Sequence, residues 1–190
     1  SEAELAARRR NAIAAMADAG LDGLLMFRQE SMYYLTGYDT FGYVFFQCLY
    51  LGVDGTMTLL TRSPDLRQAR HTSVIEDVRI WVDGPDAEPA KDLTTILEAH
   101  GCKGRRLGVE WESYGLTARN GMRLSAALEG FCALADASDL VSRLRAVKSA
   151  TEIAYVRQAA RLADDAYDAA LAGTAPGASE ADILADMQGA

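Results

Sequence analysis

The residue types that come nearest to chemistry lie together in Tyr38-Asp39-Thr40-Phe41-Gly42-Tyr43. One carboxylate stands among aromatic rings, in a loop that follows Gly37 and hinges at Gly42. Such a set suits a cationic or amphipathic small molecule, held by stacking, cation–π contact and a charge-assisted hydrogen bond. Exposed Tyr and Phe serve equally well in a contact between two protein copies. The two uses are compatible, and Tyr38, Asp39, Phe41 and Tyr43 are the candidate binding residues for either.

The other candidates are weaker. Glu110 and Glu112 follow a predicted strand as V-E-W-E, which could set an acid at the carboxyl edge of an α/β sheet, where ligands bind. The simpler reading has Glu110 capping or pairing locally, for instance with an arginine, while Trp111 closes the core. His71 and His100 sit at helix C-terminal ends, where a cation is favoured, and neither has a partner at HxxxH or CxxC spacing. No metal ligands are therefore assigned. Glycine-rich phosphate loops and GxSxG elbows are absent. Asp164 and Asp165 read as a solvated helix face, as does the basic cluster Arg8-Arg9-Arg10.

A net charge of −8 argues against nucleic acid or an anionic membrane surface as partner. No run of about 18 apolar residues could span a bilayer, and the N-terminal SEAELAARRR carries no apolar signal core. Cys48, Cys102 and Cys132 are odd in number, widely spaced and set in apolar surroundings. They read as buried thiols of a reducing compartment, so a cytoplasmic location is expected.

The elements that must position the loop follow from periodicity and turn chemistry. A helix is predicted over Glu2–Ala19, ended by Gly20, with a buried strand over Gly23–Phe27. Ser31–Leu35 is expected as a short turn, and Tyr43–Leu51 as one buried central strand, because the run is apolar, aromatic and bounded by glycines. Asp54-Gly55 predicts a hairpin into Thr56–Thr61. Ser63 and Pro64 open a helix, Val78–Val82 is a strand, and a helix spans Ala90–His100. A strand over Arg105–Glu110, a helix over Thr117–Leu128 and a strand over Phe131–Ala135 follow. This alternation predicts an α/β fold with a mixed sheet and helices on both faces. Ser138 is expected to cap a short helix. Ser149 and Glu152 form a capping box for a long helix with apolar Ile153, Val156, Ala160, Ala163, Tyr167 and Ala170. Pro176-Gly177 breaks that helix, and Ser179 caps a last one. The pattern predicts a domain over 1–137, then a linker helix and the start of a second domain over 138–190. The apolar faces of the last helices have little in this chain to bury against.

ESMYYLTGYDTFGYVFFQCLYLG, IEDVRIWVDG, LGVE and above all RLRAVKSATEIAYVRQAARLADDA, followed by GASEADILADMQGA, resemble the creatinase/prolidase family of pita-bread hydrolases. That family includes Xaa-Pro dipeptidases and aminopeptidases, creatinase and ectoine hydrolase. The resemblance implies a non-catalytic N-terminal α/β domain, followed by the first helices of an α+β pita-bread domain whose remainder lies beyond Ala190. In the peptidases that later domain carries an Asp, Asp, His, Glu, Glu set holding two divalent ions (manganese, cobalt or zinc), whose bridging water is the nucleophile. The metal-free creatinase branch uses a histidine. None of those positions falls in this chain, which by the same resemblance is inert alone. The resemblance further implies a homodimer in which Tyr38–Tyr43 reaches the partner subunit's active site. Creatinase-type recognition of a carboxylate would want a cation in this loop. Asp39 without an arginine favours a peptidase-like member, with a creatinase- or ectoine-hydrolase-like amidohydrolase, or a free-standing dimerisation module, as the alternatives.

Overall fold

Alternating side chains along three adjacent strands point to opposite faces of one sheet, and each face carries its own apolar core. The computed structural model describes residues Ser1–Ala190, which fall into two units, Ser1–Ala146 and Val147–Ala190. In the first unit, strands β1 (Gly23–Met26), β2 (Cys48–Gly52), β3 (Met57–Arg62), β4 (Asp77–Trp81), β5 (Arg106–Val109) and β6 (Ala133–Asp136) form a sheet ordered β4-β3-β2-β1-β5-β6. β1–β2 and β2–β3 pair antiparallel; β1–β5, β3–β4 and β5–β6 pair parallel. The hairpin turns at Asp54-Gly55, where Asp54 Oδ1 accepts the Thr56 N–H at 2.9 Å.

Leu24, Met26, Leu49, Leu51 and Leu59 face a core closed by α1 (Glu2–Asp18), α2 (Gln29–Thr36), α3 (Leu66–Thr72) and α6 (Leu140–Ala146). Leu25, Phe27, Cys48, Tyr50 and Leu60 face the other core, closed by α4 (Pro89–Ala99) and α5 (Ala118–Leu128). The sheet is mixed with helices on both faces, as expected. A leucine fully withdrawn from water contributes roughly 2 kcal/mol, and two such layers fix the central register. A one-residue slip of β1 would exchange the faces.

Four local expectations are corrected. Ser31–Leu35 is the middle of helix α2, whose N-cap is Arg28 and whose end is Gly37 in the left-handed region (φ 81). Tyr43–Leu51 is not one strand: Gly42–Val44 is a 3-10 turn, residues 45–47 are irregular, and only Cys48–Gly52 joins the sheet. The apolar character of Tyr43, Val44 and Phe45 reflects exposure on a loop, not burial in a strand. Ser63 starts a 3-10 turn, Ser63–Asp65, without capping it. Ser138 caps no helix: its Oγ donates to Asp136 Oδ1 (2.6 Å) and accepts the Trp111 N–H (3.1 Å). The break between the two units falls later than residue 137, because Val141 is fully buried in the first unit's core with Leu140 and Leu144 against it.

The second unit consists of α7 (Ala150–Gly173) and α8 (Glu180–Gly189). The capping box is present: Ser149 Oγ accepts the Glu152 N–H at 3.1 Å, and Glu152 Oε2 accepts the Ser149 N–H at 2.8 Å. Ser179 Oγ likewise accepts the Ala181 N–H. Neither helix buries a residue, and Val156, Tyr167, Leu171 and Leu184 are each more than half exposed.

Candidate functional site

The parallel strands β1 and β5 end side by side, and the chain leaves β1 directly into α2 and then the aromatic loop. Glu110, the residue after β5, is fully buried there. Its Oε2 accepts the N–H groups of Phe27 and Arg28, both at 3.0 Å, and its Oε1 accepts the Ser31 hydroxyl at 2.5 Å. Arg28 is the residue at the N-cap position of α2, so the carboxylate ties down the start of the helix from a distant strand. Burial pushes the Glu110 carboxyl up, against the pull of those three hydrogen bonds. Glu110 thus holds the start of a helix, close to the simpler reading, but its hydrogen-bond partners are two backbone N–H groups and the Ser31 hydroxyl, all far away in sequence, and not an arginine side chain. Trp111 packs half-buried against the second core. Glu112 is exposed and sits 3.5 Å from the Arg28 guanidinium.

The other end of α2 meets α1. Arg8 and Arg9 donate to the carbonyls of Tyr34 (3.0 Å) and Leu35 (2.9 Å), and the Arg8 guanidinium lies 4.5 Å from the Tyr34 ring centroid. Cations at a helix C-terminus complement its dipole and fill its orphan carbonyls. Partial burial and the neighbouring Arg10 hold the Arg9 guanidinium below its usual value. The expected solvated basic face is therefore corrected: only Arg10 of the three is exposed. α2 is clamped at both ends.

Beyond Gly37 the four candidate residues part company. Tyr38 is inside, at 0% exposure. Its hydroxyl donates to Gln47 Oε1 at 3.0 Å and lies 3.3 Å from Thr61 Oγ1, while Gln29 Nε2 donates to its carbonyl at 2.9 Å. Burial holds the Tyr38 phenol above its ordinary range. Asp39 is exposed; its N–H donates to Thr72 Oγ1, and its carboxylate has no bonded partner. Phe41 is 87% exposed and Tyr43 39%. Val44 and Phe45 extend the same apolar crown, with the Arg62 guanidinium 3.7 Å from the Phe45 ring centroid and held from behind by Asp83 at 2.6 Å. Adjacent to the crown, at the carboxyl ends of β1 and β5, a cleft of about 270 Å³ is lined by Phe27, Gln29, Glu30, Tyr43, Tyr114 and their neighbours. Tyr114 is another exposed ring that the residue pattern did not single out. Its position just past a β-strand was the available signal.

The remaining polar candidates are structural. His100 Nε2 lies 2.8 Å from Thr58 Oγ1 and its ring stacks on Tyr50 at 5.1 Å. His71 closes α3. The thiols of Cys48 and Cys102 are pushed up by burial, and that of Cys132 up to about 11, so none is a ready nucleophile. No group of three or more His, Cys, Asp or Glu side chains is arranged to hold a metal. The two buried acids near this surface, Glu110 and Asp65, both accept hydrogen bonds from within the fold.

Known proteins share this architecture. Dipeptidase PepE from Mycobacterium ulcerans superposes with a TM-score of 0.72 at 29% identity, over 97% of this chain and 48% of that one. An Xaa-Pro dipeptidase from Bacillus anthracis superposes with a TM-score of 0.74 at 20% identity, over 96% of this chain and 47% of that one, a likeness of fold alone. Ectoine hydrolase of Halomonas elongata is 30% identical over 179 residues, 90% of this chain and 45% of its own length. The chain spans about half the length of the curated relatives it matches. No helix is long and apolar enough to cross a membrane. The model of the creatinase/prolidase N-terminal domain matches residues 8–147, which hold the six-stranded sheet and the aromatic loop, and the chain belongs to that family.

Proposed function

We propose that this chain is the non-catalytic N-terminal part of a cytoplasmic, homodimeric, metal-dependent hydrolase of the Xaa-Pro dipeptidase or aminopeptidase kind, in which it serves dimerisation and shapes the substrate pocket. The observation that carries this is the crown of Phe41, Tyr43, Val44 and Phe45, four large apolar residues exposed on a loop anchored to the sheet. Monomeric proteins rarely leave such a patch uncovered without an interaction to serve. The rings of Phe41 and Tyr43 would exclude water from a bound substrate, and Asp39, free of internal partners, would meet its cationic group. Tyr38 acts from beneath, as the buried prop of the loop. This chain holds no group of three or more His, Cys, Asp or Glu side chains that could bind the two divalent ions. The exposed apolar faces of α7 and α8 fit the start of a second domain whose remainder covers them.

The ectoine hydrolase relative supports a second reading, in which the substrate is a small non-peptide compound such as ectoine. Both are tested on the full-length protein with manganese, cobalt or zinc added in turn. Release of proline from alanyl-proline supports the peptidase, and turnover of ectoine alone supports the second reading. Hydrolysis of neither, under any of the metals, contradicts both.

A further inference from the structure

Asp65 stands at the N-cap position of α3, where an aspartate ordinarily accepts the first free N–H groups of the helix, yet its side chain makes no such bond. The carboxylate turns to the aromatic loop. Its Oδ1 accepts the Thr40 hydroxyl at 2.8 Å, and the same Thr40 oxygen accepts the Gly42 N–H at 2.9 Å. A β-carbon on Gly42 would fall 2.4 Å from Asp65 Oδ2 and 2.7 Å from its Cγ. The loop backbone therefore rests directly on the carboxylate, in a gap that only glycine fits. Thr40, Gly42 and Asp65 are buried, whereas Phe41 between the first two projects almost wholly into solvent.

A backbone N–H, a hydroxyl and a carboxylate in series make a stronger link than neutral groups do, because the ionised acceptor polarises the chain. A loop ordered in advance also loses less conformational freedom on binding. We propose that Asp65 is a positioning residue of the substrate pocket: through Thr40 and Gly42 it holds Phe41 and Tyr43 ready-formed, and so acts on affinity without touching the ligand. It rests on the pocket-shaping role of the loop given above.

The test combines hydrogen exchange with kinetics on the full-length protein, using alanyl-proline, or ectoine if that is the compound turned over. Asp65→Ala and Thr40→Val are expected to speed exchange across residues 40–45 about tenfold and to raise KM by a similar factor, with kcat little changed. Thr40→Ser, which keeps the hydroxyl, is expected to restore both, and Asp65→Asn, which keeps only a neutral acceptor for Thr40, to restore them in part. Gly42→Ala is expected to disturb the loop in the parent but to add little once Asp65 is alanine. Unchanged loop exchange in Asp65→Ala overturns the proposal, as does faster exchange centred on α3 alone. If Phe41→Ala raises KM and Asp65→Ala does not, the positioning role fails by itself. If Phe41→Ala is silent, the pocket reading fails first and takes this role with it.

Discussion

Glu110 illustrates what a single residue does here and how its work can be measured. Its carboxyl is buried and its pKa lies above the ordinary 4.5, so the folded state binds that proton more tightly than the unfolded chain. Stability from this group is complete below the ordinary value and is lost as pH rises through the raised one. The Glu110→Gln variant can still accept the Phe27 and Arg28 N–H groups and donate to Ser31. Its stability relative to the parent is expected to grow as pH rises above about 4.5, measured by urea unfolding at a series of pH values. A difference flat in pH would mean that the carboxyl titrates normally. Glu110→Ala, which orphans three donors, is expected to cost about 3 kcal/mol. The V-E-W-E pattern located this acid and allowed its role as a cap. The partners were out of reach of sequence spacing, since the contacts to Phe27 and Ser31 cross about 80 positions. The same limit explains Tyr38: its ring is chemically like that of Tyr43, and only the tertiary fold decides which is inside.

At the scale of elements, α2 is the part that turns a sheet into a platform for the loop. It is eight residues long, too short to persist alone, and it is held by Glu110 at one end and by Arg8 and Arg9 at the other. Arg9→Ala is expected to lower stability by about 1 kcal/mol, read as a fall in Tm of a few degrees. An unchanged Tm would mean that solvent replaces the guanidinium at Leu35. Gly37→Ala places a residue in the left-handed region, with its Cβ 2.8 Å from the Thr72 carbonyl oxygen, and is expected to cost about 2 kcal/mol or more. Most sheet strands and the Ser149 and Ser179 caps were legible because short apolar runs between turn residues, Asp-Gly and Ser-x-x-Glu are local signals, whereas Ser63 and Ser138 carry a cap's residue type without its position. Tyr43–Leu51 was not legible, because an apolar run carries no mark that separates a buried strand from an exposed loop followed by one.

At the scale of the molecule, the first unit has two closed cores and the second has none. Val156 and Tyr167 of α7 lie exposed on the stripe that the three-and-four periodicity defines, and the relatives extend about as far again as this chain. In the full-length protein Val156→Asp is therefore expected to cost about 2 kcal/mol, where a solvated position would lose about 0.5 or less. An unmoved Tm would make α7 a solvent-facing helix. The most direct measurement is the steady-state kinetics of Phe41→Ala and Tyr43→Ala in the full-length protein, with whichever of alanyl-proline and ectoine it turns over. The account predicts that kcat/KM falls about tenfold or more in each, while Tm stays within about a degree. Unchanged kinetics in both variants would contradict it, leaving the exposed rings as mere surface.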